Sequence, residues 1–221
     1  MKISVITVVF NGERTIEETI KSVIGQSHKD IEYIIIDGKS SDKTLEIVDR
    51  YRKRIEVVIS EKDKGIYDAM NKGVSFATGD YIFFLNADDT FFNRDVIKNV
   101  VEAINKNPEF DYYYGGVVCQ NIFGSKSRSI LSKSISDSAI SWGENIRHQS
   151  LFVKREVFDI IGGFNTSYLV NADYDFQCRL VTNKLRGLYM DILISVYDQN
   201  GFSSKETWKQ YLEKYEIIDR N

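Results

Sequence analysis

The chain has 221 residues, 43% of them hydrophobic, enough to bury one substantial core. Its 29 Lys and Arg against 32 Asp and Glu give a formal net charge of -3, so no whole-molecule positive field exists to gather nucleic acid. No apolar run approaches the ~20 residues of a membrane-spanning helix, and no basic segment followed by a signal-type apolar stretch opens the chain, which predicts a cytoplasmic protein without a membrane span.

Residues 3–10 are nearly all apolar and β-branched, as in a strand covered on both faces of a parallel sheet. Asn11-Gly12 makes a turn, after which Ile16, Ile20, Val23 and Ile24 recur at helical spacing until Gly25. The pattern repeats: residues 31–36 read as a strand, Ser40-Ser41-Asp42 as turn and N-cap, and Leu45, Val48 and Tyr51 as a helix face. Residues 55–59 predict a third strand. Met70, Val74 and Ala77 predict a further helix, and residues 81–85 a fourth buried strand. Ile97, Val100, Val101 and Ile104 mark a helix that ends before Pro108.

Beyond Tyr112 the alternation weakens. The Ser-rich residues 125–141 read as a mobile loop that orders over bound substrate. Order returns with a strand over 150–153, a short helix over 157–161, a helix beginning near Asp173 and a strand near 188–194. Toward the C-terminus Trp208, Tyr211, Leu212, Tyr215 and Ile218 form a helical stripe suited to docking on the domain, a second subunit or a membrane surface. Its mixed charges weigh against the membrane. With no repeat and no linker, the chain reads as one α/β domain with a mostly parallel central sheet flanked by helices.

Ligands of such sheets bind at the carboxyl ends of the strands, which directs attention to residues 7–11, 37–42, 61–65 and 86–89. Asp88 and Asp89 emerge there together, and two adjacent acids invite a divalent ion, Mn²⁺ or Mg²⁺, that bridges carboxylates to a diphosphate. Capping of the next helix is the simpler role for either acid. Asp37 is placed to accept from a nucleobase N–H or to brace its own turn. Asp63 and Lys64 are placed to contact base, ribose or phosphate or to form a solvated pair, and His148 to face the diphosphate or the acceptor. Tyr112, Tyr113 and Tyr114 suggest a sugar platform, although strand alternation puts Tyr113 opposite the other two. Cys119 and Cys178 lack zinc-site spacing and read as reduced packing residues.

Several motifs occur in the order found in one family. The strand from Ser4 to Asn11, the run Asp37-Gly38-Lys39-Ser40-Ser41-Asp42-Lys43-Thr44, the segment Leu85-Asn86-Ala87-Asp88-Asp89 and the run from Asn171 to Leu180 resemble the family 2 inverting glycosyltransferases of the GT-A fold. Residues 63–73 with His148-Gln149-Ser150 are similar to members serving bacterial capsule or exopolysaccharide assembly, of the colanic-acid type.

The resemblance implies Asp173 as catalytic base, Asp88 and Asp89 as metal ligands, and a donor site of Thr7, Val9, Asn11, Asp37, Ser40, Asp63, Lys64, Asn86, Asp88, Asp89 and His148. It also implies a nucleotide-sugar donor, with UDP favoured, and a saccharide or lipid-linked saccharide acceptor. The nucleotide-sugar-binding half then covers about residues 1–110 and the acceptor half about 111–221.

Three departures stand out: Gly38 replaces a second Asp, Asn86 replaces the first acid of the metal motif, and Ala172 replaces a Glu before the base. The chain lacks the Gln-x-x-Arg-Trp motif of processive members, which fits one transfer per encounter. A nicotinamide dehydrogenase lacks support because no G-x-G-x-x-G follows the first strand. A nucleotidyltransferase lacks its Gly-rich basic loop at Asn11-Gly12-Glu13-Arg14, and a glycosidase lacks its carboxylate separation at Asp88 and Asp89. A non-catalytic carbohydrate-binding module needs neither the metal motif nor the base.

Overall fold

The computed structural model describes residues 1–120, 128–131, 133–198 and 208–220. Its N-terminal part alternates β1 (Ile3–Val9), α1 (Ile16–Ile24), β2 (Ile31–Asp37), α2 (Thr44–Arg50), β3 (Val57–Ser60), α3 (Ile66–Phe76), β4 (Tyr81–Phe84), β5 (Thr90–Phe91) and α4 (Val96–Lys106). There follow β6 (Tyr112–Gln120), β7 (Arg128–Leu131), α5 (Asp137–Ser141), β8 (Leu151–Lys154), α6 (Arg155–Ile161), α7 (Ala172–Thr182), β9 (Gly187–Asp198) and α8 (Trp208–Arg220).

One sheet runs through the described residues in the order β3-β2-β1-β4-β8-β6-β9-β5, with β7 paired to β6. Strand alternation sends Ile3, Val5 and Val9 of β1 to one face and Ile6 and Val8 to the other, and β2 and β4 divide likewise. On the first face lie α1, α2 and α4, and on the second α3, α6, α7 and α8, so the sheet is buried on both sides. At Gly73 of α3 an added Cβ would stand 2.4 Å from Ile6 Cγ2, so this glycine sets how closely the helix lies on β1.

The parallel expectation holds across β3-β2-β1-β4. Beyond β4 the sheet is mixed: β8 pairs antiparallel with β4 and β6, β7 with β6 and β5 with β9, while β6 and β9 run parallel. Hydrophobic period reports which residues are buried and leaves a strand's partner open. The loop expected over 125–141 contains β7 and α5 instead, and its residues 125–127 and 132 lie outside the described residues. Tyr112, Tyr113 and Tyr114 are 2%, 0% and 4% exposed, so the triplet is core on both faces and offers no platform. Cys119 and Cys178 are buried free thiols. Among the described residues no helix is long and apolar enough to cross a membrane.

Candidate active site

The carboxyl ends of β1 and β4, the segment before β8 and the start of α7 open on one cleft of about 990 Å³. Its first wall is the β1–α1 loop. Asn11 sits there at φ 51°, a left-handed position that Asn tolerates better than most residues. The Asn11 amide oxygen accepts from Ser41 N at 2.9 Å, and the backbone N–H groups of Asn11, Gly12 and Glu13 donate to Ser40 Oγ, Thr44 Oγ1 and Asp42 Oδ2 at 2.7, 2.8 and 3.0 Å. The two loops at the ends of β1 and β2 are thereby laced together. Asp37, 0% exposed, anchors the lacing by accepting from Ser40 Oγ at 2.5 Å and Ser60 Oγ at 2.6 Å.

The end of β4 forms the floor. Asp89 is 2% exposed, its N–H donates to the Asn86 carbonyl at 3.0 Å and its own carbonyl accepts from Thr19 Oγ1 at 2.7 Å. That turn leaves Asp88 exposed to the cleft. Asn86 Oδ1 is buried with no hydrogen-bond partner among the described residues. Among the described residues, Glu13, Asp42, Asp88, Asp89 and Asp173 line the cleft together with Arg14, Arg147 and His148. An anionic diphosphate entering such a cleft needs added positive charge. Among the described residues no three His, Cys, Asp or Glu side chains gather into a closed metal cage. Mg²⁺ and Mn²⁺ do not need one, since one or two oxygen ligands suffice when phosphate oxygens and water complete the shell. The Asp88 carboxylate and the Asn86 amide oxygen fit that requirement.

Asp173 lies in the first turn of α7 and lines the same cleft. Its Oδ1 accepts from Tyr174 N at 2.9 Å and faces the Tyr67 hydroxyl at 3.2 Å, while Oδ2 stands 3.4 Å from His148 Nδ1. Burial, then the charge of Asp173, pushes the Tyr67 hydroxyl well above its ordinary range, so it stays a donor. The other ring nitrogen, His148 Nε2, lies 3.1 Å from Asn86 Nδ2. With Nδ1 turned toward the Asp173 carboxylate and Nε2 toward the Asn86 amide, the ring stands between the two. One imidazole therefore separates Asn86 of the β4 turn from Asp173.

Asp175 is a different case. It is 4% exposed and paired with Arg179 at 2.9 Å, while Arg179 also donates to the carbonyls of Ile161 and Gly163 at 2.5 and 2.8 Å. These bonds pin α7 to the segment before it and leave Asp173 as the acid of this turn that lines the cleft.

Residues 4–172 match the model of Glycosyl transferase family 2. The chain belongs to that family. It is 29% identical over 222 residues to the "PGL/p-HBAD biosynthesis glycosyltransferase" of Mycobacterium bovis, covering 98% of this chain and 85% of the relative. The fold is that of the GT-A glycosyltransferases: TarS of S. aureus in complex with UDP-GlcNAc superposes with a TM-score of 0.71 at 18% identity, over 99% of this chain and 65% of that one. The mannosyltransferase PcManGT of Pyrobaculum calidifontis, in complex with GDP-Man and Mn²⁺, gives 0.72 at 20% identity, over 100% of this chain and 64% of that one. This chain thus spans about two thirds of the length of those solved structures.

Of the residues singled out in this glycosyltransferase from sequence, Val9, Asn11, Asn86, Asp88, Asp89, His148 and Asp173 line the cleft. Thr7, Asp37, Ser40, Asp63 and Lys64 are not brought onto its wall. Thr7 is 0% exposed and shares a hydrogen bond with the Tyr33 hydroxyl at 3.2 Å, and Asp37 and Ser40 brace the loops as described. Asp63 Oδ1 accepts from Gly65 N at 3.0 Å, and its Oδ2 occupies the space where a side chain at position 38 would begin, 2.5 Å from a Cβ built on Gly38. Lys64 is exposed, with its backbone N–H held by Asp68 Oδ2 at 3.0 Å. Phe10, Arg14, Tyr67 and Arg147, to which the sequence assigns no separate site role, also line the cleft. The strand-end rule covers Phe10, whereas Tyr67 and Arg147 reach the cleft through tertiary contacts that no local pattern announces.

Proposed function

We propose that this family 2 enzyme is a metal-dependent, inverting glycosyltransferase. In this reading it moves a sugar from a nucleotide-sugar, a UDP-sugar by preference, to a hydroxyl of a saccharide or lipid-linked saccharide acceptor in bacterial surface polysaccharide synthesis. The observation that carries the reading is one cleft in which Asp88, open at the end of β4, and Asp173, at the start of α7, are linked through Asn86 and His148. The UDP-GlcNAc of the TarS complex and the GDP-Man and Mn²⁺ of the PcManGT complex support it.

The donor's base stacks on the exposed Phe10 ring, with Asp63 beside Gly38 accepting a ring N–H. Asp37 acts here through Ser40, by holding the loop that presents Asn11. Arg14 and Arg147 face the diphosphate. When bound, the divalent ion, held by Asp88 with Asn86 and Asp89 beside it, supplies positive charge against the departing diphosphate. Asp173 takes the proton of the acceptor hydroxyl as its oxygen bonds to the anomeric carbon. The bond from that carbon to the diphosphate oxygen breaks on the opposite side, so the configuration inverts. The first half of the chain serves the donor and the second the acceptor.

The test is a panel of UDP-glucose, UDP-galactose, UDP-N-acetylglucosamine and GDP-mannose, each with Mn²⁺, Mg²⁺ or chelator. Thermal stability and release of the nucleoside diphosphate are both measured. A ligand present at 100 times its Kd stabilises by about 2.7 kcal/mol, and the UDP-sugars show this with metal and lose most of it in chelator. Equal stabilisation in chelator removes the metal, and a retained anomeric configuration in the product removes the direct displacement.

A further inference from the structure

Three consecutive backbone N–H groups, of Leu169, Val170 and Asn171, lead into α7 and its candidate base. The Asn171 N–H belongs to the helix start, where donors lack intrahelical partners, and the other two lie just before it. Asn171 stands at the N-cap but makes no side-chain cap bond. Its side chain turns instead to α8, where Nδ2 donates to the Gln210 carbonyl at 2.9 Å and faces Glu213 Oε2 at 3.4 Å. Glu213, 8% exposed, accepts from Leu169 N at 2.8 Å through Oε1 and from Val170 N and Asn171 N at 3.1 and 3.2 Å through Oε2. A buried carboxylate bound by converging N–H groups is fixed in place, and so is the turn that supplies them.

That turn is tied to the reacting group twice. Asp173 follows Asn171 by two residues along the backbone. The Val170 carbonyl accepts from the Tyr67 hydroxyl at 2.5 Å, and the same hydroxyl faces Asp173 Oδ1 at 3.2 Å. Ile217, one helical turn after Glu213 and 0% exposed, seats α8 on the core. All of α8 lies beyond the residues 4–172 that the family model matches.

We propose that Glu213 is a positioning residue for Asp173, which makes the C-terminal helix part of the reaction apparatus; the proposal rests on the reading of Asp173 as base. Glu213→Gln keeps the size but turns a carboxamide N–H toward backbone donors, which loosens the turn while leaving the donor side of the cleft untouched. Turnover is read as nucleoside diphosphate release from whichever sugar of the panel is consumed fastest, and UDP affinity by calorimetry with Mn²⁺.

Glu213→Gln lowers kcat by roughly 10- to 100-fold, the scale of a small misplacement of a reacting group, with UDP affinity changed by less than about twofold. Glu213→Asp, which keeps the charge, recovers part of the loss. In an Asp173→Asn background Glu213→Gln costs less than about a further twofold, because the two changes act through one group. Normal kcat in a folded variant of lowered melting temperature makes Glu213 a strut and overturns the proposal. An equal loss in both backgrounds overturns it too. If the Gln variant does not fold, Glu213→Asp decides by the same comparison in the two backgrounds. Near-normal turnover by Asp173→Asn alone removes the base reading instead, and is seen without any change at Glu213.

Discussion

Asp173 and Asp175 stand two residues apart on one helix, yet their surroundings give them different work. Asp175 is buried against Arg179 and holds α7 in place, whereas Asp173 faces the cleft between Tyr67 and His148. Asn at position 173 keeps the size and its capacity to accept from Tyr174 N, but cannot take a proton from an acceptor. Asp173→Asn therefore lowers turnover by roughly 10²-fold or more, while UDP and metal bind near normally. Steady-state kinetics beside calorimetry check this, and near-normal transfer by the folded variant moves the base elsewhere. On the floor of the cleft the same contrast separates Asp88, which is exposed, from Asp89, which is 2% exposed with its backbone held by Asn86 and Thr19. Asp88→Ala removes the oxygen ligand proposed for the ion without opening the core. It abolishes the extra stabilisation that Mn²⁺ gives to UDP binding and leaves the melting temperature of the unliganded protein nearly unchanged. Persistence of the metal effect assigns the ion to other residues.

Among elements, the corner where β1, β2 and the end of α3 meet is held by a buried acid that has no part in the cleft. Burial alone would raise the Glu32 pKa. Hydrogen bonds from Ser4 Oγ, Thr78 N, Thr78 Oγ1 and Lys2 Nζ outweigh it and bring the group down to about 2 from an ordinary 4.5. A carboxyl depressed in the folded state contributes stability that is fully present above its unfolded pKa and lost as pH falls through the folded one. Between pH 4.5 and 2 the protein thus loses about 3 kcal/mol from this group, each tenfold difference in acidity between the folded and unfolded chain being worth about 1.4 kcal/mol. Glu32→Gln flattens that limb of the stability curve. Urea titrations at pH 5 and pH 3 measure it, and an unchanged difference between them counts against the assignment. The elements around this corner were legible in the sequence, because uninterrupted apolar strands and helices of 3.6-residue period declare their burial directly. The second half was less so: β7 and α5 stand where a loop was expected, and β8 joins the sheet antiparallel to β4. Pairing of that kind depends on how the chain returns, which burial patterns do not encode.

At the scale of the whole molecule, one sheet carries both halves, and the cleft takes its walls from residues 8–89 on one side and 145–210 on the other. The motifs at the ends of β1 and β4 pointed to that cleft, since strand ends of α/β sheets gather ligands. The links across it were illegible, because Asn86 and His148 are separated by 62 positions and Tyr67 and Asp173 by 106. Tyr67 reaches Asp173 from α3, and His148 stands between the two walls, 3.1 Å from Asn86 Nδ2 and 3.4 Å from Asp173 Oδ2. If it sets the base relative to the donor, His148→Ala lowers kcat by roughly 10-fold or more with UDP affinity little altered, a small displacement at the reacting group being the cause. At saturating Mn²⁺ and donor, Asn86→Ala produces part of the same kcat loss, and the double variant is no worse in kcat than His148→Ala, since removing the imidazole already severs the link from Asn86 to Asp173. The resulting coupling energy falls within the range of about 0.5–3 kcal/mol typical of side chains in one hydrogen-bond network. Additive losses in kcat show that the two residues act separately, Asn86 on the donor and His148 on the acceptor. A loss confined to UDP affinity returns His148 to the diphosphate.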